Sequence, residues 1–266
     1  MLHLALLLLA LLNVSLAEIA NVVADCTTFR RCRCGEGVAG GTATPALARL
    51  TNTKTNKRCA AVLINDRYLL SSADCDAGLI DESQVYDETF VTFYNSEQAL
   101  HVDRLYVHHH HVAASVPRLY DIMLVRLRYL VDMSVHVPIC LPHASLLLYD
   151  DTPAWIMGPG KGPVSVMTHT GNCSFTHQVD GPVRTIRVRP GMYLCAGRVD
   201  TPFCSLEPGF LLVVRVHGWY MVVGVASTLE LFPMCTYSMG LFSEVLPHRG
   251  WIKNMTSDAS GCQFDL

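Results

Sequence analysis

The sequence predicts an all-β, disulfide-bonded protein, and three observations carry that expectation. Apolar residues fall in short runs bounded by turn residues or cysteines, as in Ala60–Ile64, Tyr68–Ser71 and Phe210–Val216, the pattern of buried strands. At 266 residues, the chain can build one larger all-β domain or two small ones around a sizeable core. Eleven cysteines accompany an apolar N-terminal segment, which implies an oxidising compartment and a disulfide framework.

Residues 1–17 are leucine-rich and end Ser15-Leu16-Ala17, with small residues where a signal peptidase cuts. They read as a secretory signal peptide, although the segment lacks Lys and Arg. It is too short to read as a membrane span. No other stretch is long and apolar enough to cross a bilayer, so no membrane partner is expected. A net charge of −3 argues against a nucleic-acid partner. The odd number of cysteines leaves at least one sulfur free or bonded to another molecule. Neither a repeat of fixed period nor a Gly/Ser-rich linker is visible.

Residues 18–37 form a lead carrying Cys26, Cys32 and Cys34 among Arg30, Arg31 and Arg33. C-x-C spacing alone does not make a tight zinc site, so disulfides are the expected use. Val38-Ala39-Gly40-Gly41 follows. Next, R-C-A-A-V-L-I-N-D-R-Y-L-L-S-S-A-D-C spans Arg58–Cys75 and reads as two strands joined at Asn65-Asp66, with Cys59 and Cys75 placed to clasp the hairpin. Closing a loop of that length contributes about 3 kcal/mol in the chain-entropy model.

His108–His111 is a run of four histidines in the loop Val107–Pro117. Histidine tracts can bind Zn²⁺, Cu²⁺ or Ni²⁺, but successive side chains of an extended segment face opposite ways. The expectation is therefore a surface loop with incidental metal affinity and no specific metal site, which becomes positively charged below pH ~6.5. Tyr120–Leu127, Y-D-I-M-L-V-R-L, is another apolar strand signal, and the Asp121 carboxylate is expected to accept hydrogen bonds that stabilise its loop. Further along stand V-P-I-C-L-P at Val137–Pro142 and Trp155-Ile156-Met157-Gly158. M-Y-L-C-A-G follows from Met192, and C-S-L-E-P-G-F-L-L-V-V spans Cys204–Val214. In the last, a Glu-Pro-Gly turn feeds a buried strand. Asn172-Cys173-Ser174 and Asn254-Met255-Thr256 fit the glycosylation sequon.

Taken in order, these motifs resemble those of the chymotrypsin-like (trypsin-family) serine proteases. The resemblance covers about Val38 to Met255. Val38-Ala39-Gly40-Gly41 resembles the family's I-V-G-G, and Ser72-Ala73-Asp74-Cys75 stands where active members have A-A-H-C. Asp121 matches the third triad member, and Cys204–Gly209 matches the nucleophile loop C-x-G-D-S-G. Gly224–Leu229 is similar to G-I-V-S-W-G, and Gly250-Trp251-Ile252 to the start of the C-terminal helix. The resemblance implies two packed antiparallel six-stranded β-barrels over residues 38–256, a short C-terminal helix, a tail at 257–266, and a site in the cleft between the barrels. It also implies that Cys140 bonds the lead, with Cys34 the preferred partner, and that Cys173–Cys195 and Cys204–Cys235 are bridges. Cys262 has no counterpart in the family. With Cys26 and Cys32 it remains unassigned, and it is the expected route to a disulfide-linked partner.

Chemistry departs from the family at the positions that matter most. Asp74 replaces the histidine base, and a carboxylate with a pKa of about 4 is a poor base for a serine proton. Pro208 replaces the nucleophile and has neither a hydroxyl nor an N–H. Leu206 replaces a glycine oxyanion donor, Glu207 the aspartate before the nucleophile, and Gly209 is retained. Loss of one oxyanion donor costs roughly 10²–10³ in turnover. At the specificity pocket, Pro202 and Phe203 stand at the base and Leu229 at the mouth, with Gly240 on the opposite wall, so the pocket is apolar and offers nothing to pair a Lys or Arg. Gly37 stands where activatable members carry the Arg or Lys that is cleaved.

The expectation is a secreted, glycosylated, non-catalytic protease homologue of the insect type. It would need no cofactor and would bind an extracellular protease, inhibitor or substrate in a proteolytic, immune or reproductive process. A hydrolase rebuilt on Asp74, Asp121 and Glu207 is one alternative. A carrier that uses the apolar cleft is another.

Overall fold

The computed structural model describes residues 34–36, 46–75, 87–94, 96–115, 118–158, 161–169, 174–177, 184–187, 191–197, 208–227 and 239–259. All of them belong to the compact unit Cys34–Leu266. Two closed six-stranded antiparallel barrels and one short C-terminal helix make up the architecture.

The first barrel comprises β1 (Leu47–Asn52), β2 (Arg58–Leu63), β3 (Tyr68–Ser71), β4 (Thr89–Phe93), β5 (Ala99–Val107) and β6 (Met123–Leu127). Their order around the barrel is β1-β2-β3-β6-β5-β4, closed by the pairing of β1 with β4. Thr89, Val91 and Phe93 alternate inward with partly exposed neighbours in β4, whereas all four residues of β3 are buried. That contrast is the difference between a strand with one wet face and one covered on both. The β2–β3 turn is closed by Asn65, whose Oδ1 accepts the Arg67 and Tyr68 N–H groups at 2.9 and 2.7 Å, a side chain standing in for a backbone turn.

The second barrel comprises β7 (Pro153–Gly158), β8 (Lys161–His169), β11 (Tyr193–Gly197), β12 (Leu211–Val216), β13 (Trp219–Ala226) and β14 (Met239–Glu244), in the order β11-β14-β13-β12-β7-β8. The pairing of Cys195 with His169 and its neighbours closes it. A separate two-stranded ladder, β9 (Ser174–His177) with β10 (Arg184–Arg187), lies outside the barrel order. The sequence motifs gave no signal for it. The apolar run from Phe210 becomes a buried residue followed by β12, whose first four residues are buried.

One core cluster spans both barrels, joining Leu63, Leu70 and Val125 of the first to Leu211, Val213 and Val225 of the second, and a second groups Ala60 with Ile156, Phe210, Leu212 and Phe242 of the second barrel. At the seam the Ala60 N–H donates to the Pro208 carbonyl at 3.1 Å. The segment before β1 is tied in by the Cys34–Cys140 disulfide. Gly35 is held beside it, its N–H donating to Pro138 O at 2.7 Å and its carbonyl accepting from Tyr220 N at 3.1 Å. Gly35 has φ +64°, and a Cβ there would lie 2.5 Å from Tyr220 O, so only glycine fits. The helix α1 (Arg249–Met255) runs into Ala259, which is buried.

Candidate functional site in the cleft between the barrels

The site begins with a 3₁₀ turn, Ala73–Cys75, that follows β3 and is buried throughout. The Cys59–Cys75 disulfide anchors its end. Ser72 and Asp74 thereby face Asp121, which lies two residues before β6 and is fully buried. Asp121 Oδ1 accepts from Ser72 Oγ at 2.6 Å and from the Asp74 N–H at 3.0 Å. Two donors on one oxygen orient this carboxylate without any imidazole. Tyr120, just before it, adopts φ +53°, a left-handed conformation that bulky residues rarely take.

Asp74 turns its own carboxylate toward Arg118. Guanidinium Nη1 and carboxylate Oδ1 form a hydrogen-bonded ion pair, and the side chains are only 16% and 3% exposed. His111 Nε2 lies 3.9 Å from the same carboxylate oxygen, outside hydrogen-bond range. Its Nδ1 lies 3.1 Å from Leu119 O; because a carbonyl only accepts, the proton of the neutral ring is assigned to Nδ1. From the second barrel, Tyr193 Oη donates to the Arg118 carbonyl at 2.7 Å. The Arg118 segment is thus fixed from both sides of the cleft. The Asp74 carboxylate, next to Asp121 through its own N–H, is thus met by a cation from the chain itself.

On the far side, Pro208 is half-buried and its carbonyl is engaged by Ala60. Gly209 has φ +84°, and its N–H donates to Ala226 O at 3.3 Å. A Cβ at 209 would lie 2.0 Å from Ala60 O and 2.9 Å from Ser71 Oγ. The seam between the barrels therefore admits only glycine here. Among the described residues, Asp121 Oδ2 and Ser227 Oγ are buried without a hydrogen-bond partner. At positions 74, 121 and 208 stand an ion-paired carboxylate, a carboxylate bound by a hydroxyl and an amide, and a proline. None of these three carries a hydroxyl or thiol.

Gly240 is buried and pairs with Ala196 in the β11–β14 ladder. Asn254 is exposed on α1. Cys195 is disulfide-bonded. Pro202, Phe203, Leu206, Glu207, Leu229, Asn172, Cys26, Cys32, Cys173, Cys204, Cys235 and Cys262 lie outside the described residues, as do Gly37 and Val38.

One expectation is corrected. The histidine run is not uniformly a surface loop: His109 and His110 are exposed, but His108 is buried, with 6% of its surface exposed. Its ring stacks on Tyr120, with centroids 5.1 Å apart and planes 4° apart, and packs against His248 and Trp251, each at 4.8 Å. Burial, reinforced by the neighbouring histidines, lowers its pKa to about 4, and burial alone does the same for His248. The run therefore does not charge as a unit below pH 6.5. No cluster of three or more His, Cys, Asp or Glu among the described residues is placed to hold a metal. Sequence reasoning also missed Arg118 and Tyr193 as site residues. Arg118 lies close before Asp121, but nothing in the sequence showed that its side chain crosses to Asp74.

Comparison with known proteins agrees with this architecture. The family model described as Trypsin matches residues 34–186. Chymotrypsin-like elastase family member 1 of Homo sapiens is 24% identical over 74% of this chain and 80% of its own length. The protein of the same name from Bos taurus is also 24% identical, over 74% of this chain and 77% of its own. Phenoloxidase-activating factor 1 of Holotrichia diomphalia is 23% identical over 73% of this chain and 60% of its own length.

Proposed function

The chain belongs to the trypsin family, and we propose that it is a non-catalytic member that acts by binding another extracellular protein. One observation carries the reading. The position of the family's base is an aspartate already engaged by Arg118, and the position of the nucleophile is Pro208. Peptide hydrolysis on this scaffold needs a hydroxyl, a base that can take its proton, and N–H donors for the oxyanion. Pro208 removes the first and one of the last, and the Asp74 carboxylate is already occupied by Arg118.

Cysteine content, the signal-like residues 1–17 and the sequons at Asn172 and Asn254 support a secreted glycoprotein. Similarity to a protein named for activating phenoloxidase favours a place in an extracellular protease cascade, as a cofactor, regulator or decoy. Cys262 offers a route to a disulfide-linked partner. A hydrolase rebuilt on Asp74, Asp121 and Glu207, or an apolar-ligand carrier, is the competing reading.

The test is labelling of the purified secreted protein with a fluorophosphonate probe, with an active elastase as control. The expected result is labelling of the control alone, since the probe needs an activated serine. Robust labelling, or peptide turnover abolished by Asp74→Asn, overturns the proposal.

A further inference from the structure

Five histidines, His108–His111 and His248, gather where His108 packs against His248 and Trp251. His108 and His248 are each only 6% exposed. The His108 ring lies 4.6 Å from His109, 5.8 Å from His110 and 4.8 Å from His248, with Tyr120 stacked on it and Trp251 beside it. Among the described residues, the titratable groups in ring contact with it are histidines and Tyr120. Among the described residues, neither His108 nor His248 forms an ion pair with a carboxylate. Geometry also fixes the protonation state of His108, because its Nδ1 accepts the His110 N–H at 3.3 Å. An imidazolium has no acceptor nitrogen, so charging this ring ends that bond and buries a cation against other protonatable rings.

The same loop reaches the site. His111 Nδ1 and the Val112 N–H both bond Leu119 O, at 3.1 Å each, and the adjacent Arg118 pairs with Asp74. From the His108 packing and the bonds that join His111 and Val112 to Leu119 beside Arg118, we propose that His108 and His248 form an acid-sensitive latch that holds residues 108–115 and 118–120 in place at neutral pH. Protonation opens the latch and loosens Arg118 from Asp74. The depressed pKa values of both imidazoles agree in direction. A histidine whose folded pKa lies below its unfolded value of about 6.5 stabilises the closed loop fully above that value. The contribution is lost as pH falls toward 4. This latch would operate whether or not the cleft is catalytic.

Hydrogen exchange of the full secreted chain at pH 7.0, 5.5 and 4.5, corrected for intrinsic rates, tests the inference. The expected result is that amides of residues 108–115 and 118–120 lose protection at least about tenfold between pH 7.0 and 4.5 while β3 and β6 keep theirs. His108→Phe, which keeps the stacking but removes the titrating nitrogens, should reduce that pH response at least threefold. If the variant does not fold, histidine Cε1–H resonances of the wild-type protein decide the matter, with two rings expected to titrate well below pH 6. Unchanged loop protection in the wild type overturns the latch. So does an unaltered response in folded His108→Phe, or titration of all five rings near pH 6.5.

Discussion

The Arg118 guanidinium is hydrogen-bonded to the Asp74 carboxylate inside the cleft, where Asp74 is 3% exposed. A buried ion pair is weak support for stability when both partners are present, yet strongly felt when one is removed, because the remaining charge stays desolvated. Arg118→Met should therefore destabilise the protein by about 3–5 kcal/mol, measured by chemical denaturation. Asp74→Asn in that background should restore part of the loss. A double-variant cost equal to the sum of the two single costs would show that the pair is not coupled.

Under the proposed function, a serine at position 208 should not confer activity. Pro208→Ser supplies a hydroxyl, but Asp74 remains held by Arg118 and no imidazole replaces it. Turnover of elastase and trypsin peptide substrates should stay at least about 10³-fold below an active elastase. Substantial hydrolysis by the single variant would mean that Asp74 leaves Arg118 to act as a base.

Gly209 sets the spacing of the two barrels at their seam. An alanine there combines φ +84° with a Cβ 2.0 Å from the Ala60 carbonyl oxygen. Gly209→Ala should cost more than about 2 kcal/mol, of which roughly 1–2 kcal/mol is the left-handed backbone penalty alone. The remainder comes from separating the Ala60–Pro208 contact. Denaturant midpoints at equal m-values provide the measurement.

Beyond α1, Asp258 clamps the segment after the helix to the first barrel. Its Oδ1 accepts from Tyr68 Oη at 2.5 Å, and its Oδ2 from Arg126 Nη2 at 2.7 Å and Nε at 3.1 Å. Partial burial by itself raises its pKa, but the Tyr68 and Arg126 hydrogen bonds and the charges of Arg126 and Arg67 outweigh that and lower it. The clamp's stabilisation is therefore present above the unfolded carboxyl value of about 4 and is lost as pH falls below it. Asp258→Asn should cost about 1–2 kcal/mol at pH 7 and should flatten the fall in stability between pH 5 and 3.

Much of the architecture was legible in local sequence, for reasons that can be named. The β2–β3 hairpin follows from two apolar runs, the Asn65 turn and cysteines at either end, all of which act within a few residues. Tyr68–Ser71 and the strand after Phe210 fall where the apolar runs put them. Cys34 and Cys140 were less accessible to local reasoning, since 106 residues separate them and only the family resemblance paired them.

By itself the sequence determined the strand-forming runs, the turn chemistry, the cysteine supply and the identity of the groups at positions 74, 121 and 208. Those are properties of single residues and short windows. Tertiary structure alone decided that Arg118 answers Asp74, that Tyr193 of the other barrel holds Arg118 in place, and that His108 is buried against His248 and Trp251 while His109 and His110 face solvent. Each of those outcomes depends on barrel closure bringing together segments distant in the chain. Desolvation and charge pairing are set by what surrounds a side chain in space, and no local window contains that information.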